Sequence, residues 1–90
     1  MKIIDIWASW CMPCKVVSQV LDRIQNERPD LVIEKINVDE DKEAIAEYNV
    51  KNIPVILIED KDGNVLFRHT GAITKQELDK KLDELDWANA

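Results

Sequence analysis

Ile3-Ile4-Asp5-Ile6-Trp7-Ala8-Ser9-Trp10-Cys11-Met12-Pro13-Cys14-Lys15 is the stretch that decides how this chain reads. Residues 3–8 are apolar apart from one acid, the pattern of a buried strand. They lead into two cysteines separated by two residues. From Met12 to about residue 28 the spacing turns helical, with Val16, Val17, Val20, Leu21 and Ile24 recurring at three and four residues. A strand running into C-x-x-C at a helix start predicts a redox pair. The thiols are near enough to bridge reversibly, and Cys11 is expected to be exposed where a helix N-terminus stabilises its thiolate.

Two blander readings fit the same pair. A structural bridge closing so short a loop contributes only about 2 kcal/mol by the chain-entropy estimate. A zinc site needs about four ligands, and the sequence adds only the distant His69, itself expected to be exposed on a strand. Haem attachment asks for His after the second cysteine, where Lys15 stands. No metal is expected.

Working outward, Pro29-Asp30 stops the helix, and residues 31–38 are β-branched and mostly apolar, a second strand. Residues 39–48 predict a short helix with Ala44, Ile45 and Tyr48 on one face and Asp39-Glu40-Asp41 as its solvated start. Ile53-Pro54 introduces a third strand, Val55–Glu59, and Asp62-Gly63-Asn64 turns it back into a fourth, Val65–Thr70. Gly71 breaks that strand. Thr74 and Glu77 have capping-box spacing ahead of Leu78, Leu82 and Leu85, the stripe of a last helix. The order β-α-β-α-β-β-α belongs to the α/β class: a four-stranded mixed sheet flanked by three helices, on both faces.

Ninety residues, 46% apolar and 33% charged, predict one globular domain spanning residues 1–90. The net charge of −6 argues against a nucleic-acid surface. No stretch reaches the roughly 18 apolar residues of a membrane span. Asp5 interrupts the apolar run after Met1-Lys2, so no secretory signal is read, and two cysteines are too few for a secreted disulfide framework. The expected location is the cytoplasm, as a monomer.

Over most of its length the chain resembles the thioredoxin family. The resemblance is carried by residues 5–15, then by Lys35-Ile36-Asn37-Val38-Asp39, Ile53-Pro54, Asp62-Gly63 and Gly71-Ala72. It implies a thioredoxin-like fold and reduction of protein disulfides, with Cys11 as nucleophile and Cys14 as resolving thiol. It further implies that Asp5 accepts the Cys14 proton through a water and that Lys35 pairs with Asp5. Trp10 would shield the cysteines and Trp7 pack beneath them. Trp10, Met12, Pro13, Ile53, Pro54, Gly71 and Ala72 would form the substrate-docking surface, with a cis bond at Ile53-Pro54 and the Ile53 backbone free to pair with an extended substrate.

The partners so implied are disulfide-containing proteins and an electron-donating reductase, either thioredoxin reductase or a glutaredoxin-type donor. No cofactor is expected beyond the Cys11–Cys14 pair. The family usually opens with an extra strand and helix; this chain starts at the strand of Asp5, so residues 31–38 are expected at the sheet edge. The dipeptide between the cysteines is Met-Pro where Gly-Pro is usual, and Val55 follows Pro54 where Thr is commoner. Two alternatives stand beside this reading: a glutaredoxin-like, glutathione-dependent oxidoreductase, and a redox-gated binding module.

Overall fold

The computed structural model describes residues 1–88. Seven elements follow in the expected order: β1 (Lys2–Trp7), α1 (Met12–Glu27), β2 (Val32–Asn37), α2 (Glu43–Glu47), β3 (Val55–Glu59), β4 (Val65–Thr70) and α3 (Lys75–Ala88). The sheet runs β2-β1-β3-β4, with β1 parallel to β2 and antiparallel to β3. β3 and β4 form an antiparallel hairpin. The sheet is therefore mixed, with the strand that leads to the cysteines inside it and β2 at its edge.

Burial follows from that order. β1 and β3 have neighbours on both sides, and Ile3, Ile4, Ile6, Val55, Ile56, Leu57 and Ile58 are all buried. Alternation sends them to two cores. Ile3, Ile56 and Ile58 meet Val17, Leu21 and Ile24 of α1 and Leu78 and Leu82 of α3. Ile4, Ile6 and Leu57 lie in the other core with both cysteines, and Tyr48 and Val50 pack against them. Val16, counted in the helical stripe from sequence, points to solvent (54% exposed), while Val17, Leu21 and Ile24 carry the buried face.

The helix ends have local causes. Arg28 closes α1, donating its backbone N–H to the Ile24 carbonyl (2.8 Å), and Pro29 cannot extend it. The expected ten-residue second helix shortens to Glu43–Glu47, because residues 38–40 are taken up in a turn. There Asn37 Oδ1 accepts from the Asp39 N–H and Asp41 Oδ1 from the Ala44 N–H. At α3, Thr74 Oγ1 accepts from the Glu77 N–H (3.1 Å), the bond the capping-box spacing predicted.

Candidate active site

α1 starts at Met12, and its cap is Cys11 in extended conformation (φ −93°, ψ 107°). Cys11 Sγ accepts a hydrogen bond from the backbone N–H of Cys14 at 3.2 Å, occupying the place that a Ser or Asp oxygen takes at other helix starts. Pro13 fits the first turn because it has no N–H to leave unpaired. No acidic side chain stands in that turn to oppose a thiolate.

The two cysteines are joined in a disulfide, with Cα atoms 5.2 Å apart. Exposure corrects one expectation. Cys11 is only 5% exposed and Cys14 2%, both inside the core cluster with Ala8, Val38 and Val55. Capping turns Cys11 Sγ back onto the helix, and the solvent-facing apolar surface belongs to its neighbours Trp10 (67%) and Met12 (68%).

Trp10 is held outward by Asp39, which the sequence placed at a solvated helix start rather than at the site. Its indole Nε1–H donates to Asp39 Oδ2 at 3.0 Å, across 29 positions. Nothing local in the sequence signals this pairing, since the parallel register of β1 and β2 is what brings the ends of those strands together. Beside Trp10 runs an open groove of about 440 Å³, bordered by Ile45, Val50 and Ile53.

The other expected docking residues lie along the ends of β3 and β4. The Ile53-Pro54 bond is cis, and Pro54 is buried while Ile53 packs against the cysteine cluster. Gly71, at φ +98° where a side chain would be strained, donates its N–H to the Pro54 carbonyl at 2.8 Å. Ala72 follows, exposed.

Asp5 lies on the interior strand at 1% exposure, and its Oδ1 has no hydrogen-bond partner. Burial raises its pKa from 3.8 to about 6, against the lowering influence of Lys35. Lys35 is the register neighbour of Asp5 on β2, yet among the described residues no ion pair joins them. Its Nζ instead donates to Ser18 Oγ (3.0 Å) and lies 3.8 Å from Asp22 on the exposed side of α1. An ammonium on an edge strand keeps its hydration by turning outward, so its effect on Asp5 is through space. Trp7 packs against the cysteine cluster, and its buried Nε1 also has no partner.

Among the described residues no group of three or more His, Cys, Asp or Glu is placed to hold a metal, and no helix is long and apolar enough to cross a membrane. His69 is half-buried rather than free in solvent, with Nε2 2.9 Å from the Ala72 carbonyl oxygen.

Comparison with known proteins agrees with this geometry. The family model described as Thioredoxin matches residues 1–84. A thioredoxin of Listeria monocytogenes is 43% identical over 81 residues, covering 89% of this chain and 78% of the relative. One from Pseudomonas aeruginosa is 38% identical over 82 residues, covering 90% and 75%. The crystal structure of mitochondrial thioredoxin 3 from Saccharomyces cerevisiae, oxidised form, superposes with a TM-score of 0.80 at 30% identity, covering 92% of this chain and 76% of that one. Because the family match runs from β1 into α3 and takes in the disulfide-bonded pair, the chain belongs to the thioredoxin family and is a thiol–disulfide oxidoreductase.

Proposed function

We propose a division of labour within this protein disulfide reductase: Cys11 is the nucleophile and Cys14 the resolving thiol. The observation that supports it most directly is the Cys14 N–H donating to Cys11 Sγ at the start of α1. After reduction, that donor and the helix N-terminus favour negative charge on Cys11 rather than on Cys14. The Cys11 thiolate attacks one sulfur of a partner disulfide; that S–S bond breaks and the partner's other sulfur leaves as a thiol. Cys14 then gives up its proton and attacks Cys11 Sγ in the mixed disulfide. The Cys11–Cys14 bond forms and the partner's second thiol departs, so two electrons have passed to the partner.

In this proposal Asp5 is the acceptor of the Cys14 proton through a water, a role suited to a buried carboxyl with a pKa near 6. Lys35 tunes it electrostatically. Trp10, Met12, Pro13, Ile53, Pro54, Gly71 and Ala72 form the docking surface, where an extended substrate strand pairs with the Ile53 backbone. The redox group is the cysteine pair, with no separate cofactor. Electrons come from thioredoxin reductase, with a glutaredoxin-type donor as the second possibility, and the protein works as a monomer in the reducing cytoplasm.

The decisive assay is insulin reduction driven by NADPH and thioredoxin reductase, compared with glutathione as donor. Turnover with the reductase is expected; activity with glutathione alone would favour the glutaredoxin-like alternative. Cys14→Ser should accumulate a mixed disulfide through Cys11, whereas Cys11→Ser should accumulate none. Equal trapping by both variants would refute the assignment of roles.

A further inference from the structure

We propose that Arg68 and His69, consecutive on β4, are positioning residues that hold the two backbone segments flanking the docking surface, residues 49–54 and 71–72. The inference rests on reading Ile53-Pro54 and Gly71-Ala72 as the substrate rim. Consecutive strand residues face opposite sides of a sheet, so this pair reaches both sides at once. Both side chains end on main-chain carbonyls next to that rim.

Arg68 reaches the face of α2. Its guanidinium donates to the carbonyls of Tyr48, through Nη1, and of Asn49, through Nη2 at 3.0 Å. Tyr48 closes α2, and Asn49 stands at φ +52°. These carbonyls belong to the turn that starts the run to Ile53-Pro54. A two-pronged planar donor fixes the position and the direction of that turn, which a single ammonium would not.

His69 works on the α3 face. Its ring lies parallel to Phe67 (centroids 6.3 Å apart, 18° between planes), and Lys81 of α3 stands 5.2 Å above the Phe67 ring. A carbonyl oxygen only accepts, so at 2.9 Å from the Ala72 carbonyl the His69 Nε2 carries a hydrogen. That bond spans Thr70 and Gly71, closing the strand-to-helix loop on itself. The same loop is tied to the first segment by the Gly71 N–H on the Pro54 carbonyl, so the two clamps act on one connected rim. Neither side chain belongs to the cysteine cluster, and neither takes part in the exchange chemistry.

A rim held in place before the substrate arrives lowers the entropy that binding must supply, which appears in KM for an extended protein substrate. A small disulfide that needs no backbone pairing should not register it. The test is insulin reduction by His69→Ala, His69→Gln and Arg68→Ala, beside the second-order rate with a small aromatic disulfide and the Cys11–Cys14 potential. His69→Ala is expected to raise KM for insulin roughly five-fold, the worth of one lost hydrogen bond, and Arg68→Ala, which loses two, by at least as much. The small-disulfide rate and the potential should stay as in the parent, and His69→Gln, which restores a donor at the Nε2 position, should recover most of the loss.

Should Arg68→Ala not fold, Arg68→Lys carries the same expectation, since it keeps charge and stem but not the fork. Parallel loss of both activities together with the thermal midpoint would mark the residues as merely structural and overturn the proposal, as would an unchanged KM. Ala72→Arg separates the two layers of inference. If it raises the insulin KM while the Arg68 and His69 variants do not, positioning alone fails. If Ala72→Arg has no effect, the rim reading fails and takes the proposal with it.

Discussion

Asp5 combines in one side chain a structural penalty and a chemical use. A carboxyl whose folded pKa is raised contributes stability that is fully present below its unfolded value, here 3.8, and is lost as the pH climbs through about 6. Between those values the unfolded chain releases a proton that the folded chain retains, so folding weakens as pH rises. Asp5→Asn abolishes this dependence. Its stability relative to the parent is expected to grow by about 3 kcal/mol between pH 4 and pH 8, from a shift of about two pKa units at 1.36 kcal/mol each. Urea unfolding of both oxidised proteins at the two pH values measures it. A difference independent of pH would mean that Asp5 is not perturbed. The anomaly of Asp5 was legible from sequence as an acid inside an apolar strand, and its 1% exposure removes the milder reading of a solvated acid at the strand end. The partner of Lys35 was not, since Asp5, Ser18 and Asp22 compete for it and only the packing of α1 beside β2 decides. Nor was Asp39, whose partner Trp10 stands 29 positions away in the turn between β1 and α1.

Among the described strands, β2 and β4 are the edges of the sheet, and β2 is the edge that lies beside the cysteine-bearing strand. Exposed strand edges invite pairing with other chains, and charges on both faces oppose it. Glu34 lies 3.5 Å from Lys2, while Lys35 turns to Ser18 and Asp22. Val32, on the Glu34 face, is already 57% exposed. Glu34→Val would put two β-branched residues side by side on an open edge. Concentration-dependent association is expected by sedimentation velocity, with a stability change within about 1 kcal/mol because the ion pair is exposed. A variant that stays monomeric at high concentration would show that the edge is protected by something other than charge. Five of the seven elements were legible nearly to both ends and α3 from its cap, since apolar periodicity reports directly on which face is buried. α2 was the exception: Asn37 and Asp41 spend their side chains on turns, and that competition with helix is invisible to periodicity.

Across the whole molecule, ionic contacts and the reactive pair lie in separate places. Arg28 at the end of α1 meets Asp79 (3.4 Å) and Asp83 (2.8 Å) of α3, and Lys75 bridges Glu27 and Asp79. These tie the two helices together near the end of α1 opposite its cysteine cap. The sheet divides differently. β1, α1 and β2 form one unit close in sequence and carry both cysteines, whereas β3 and β4 form a hairpin whose ends carry Pro54 and Gly71. The two units are hydrogen-bonded into one sheet where Lys2–Ile6 pairs with Val55–Glu59, across some fifty positions of chain, and β3 also packs on α1 through Ile56 and Ile58. Such distant pairing closes late compared with local contacts, and is expected to open before them. Selectivity and reactivity are therefore expected to have different lifetimes in this fold: a hairpin that lifts from β1 would leave the thiols on their helix but take away the surface proposed to choose what they react with. Native-state hydrogen exchange should find the amides of β3 and β4 opening at lower free energy than those at the middle of α1.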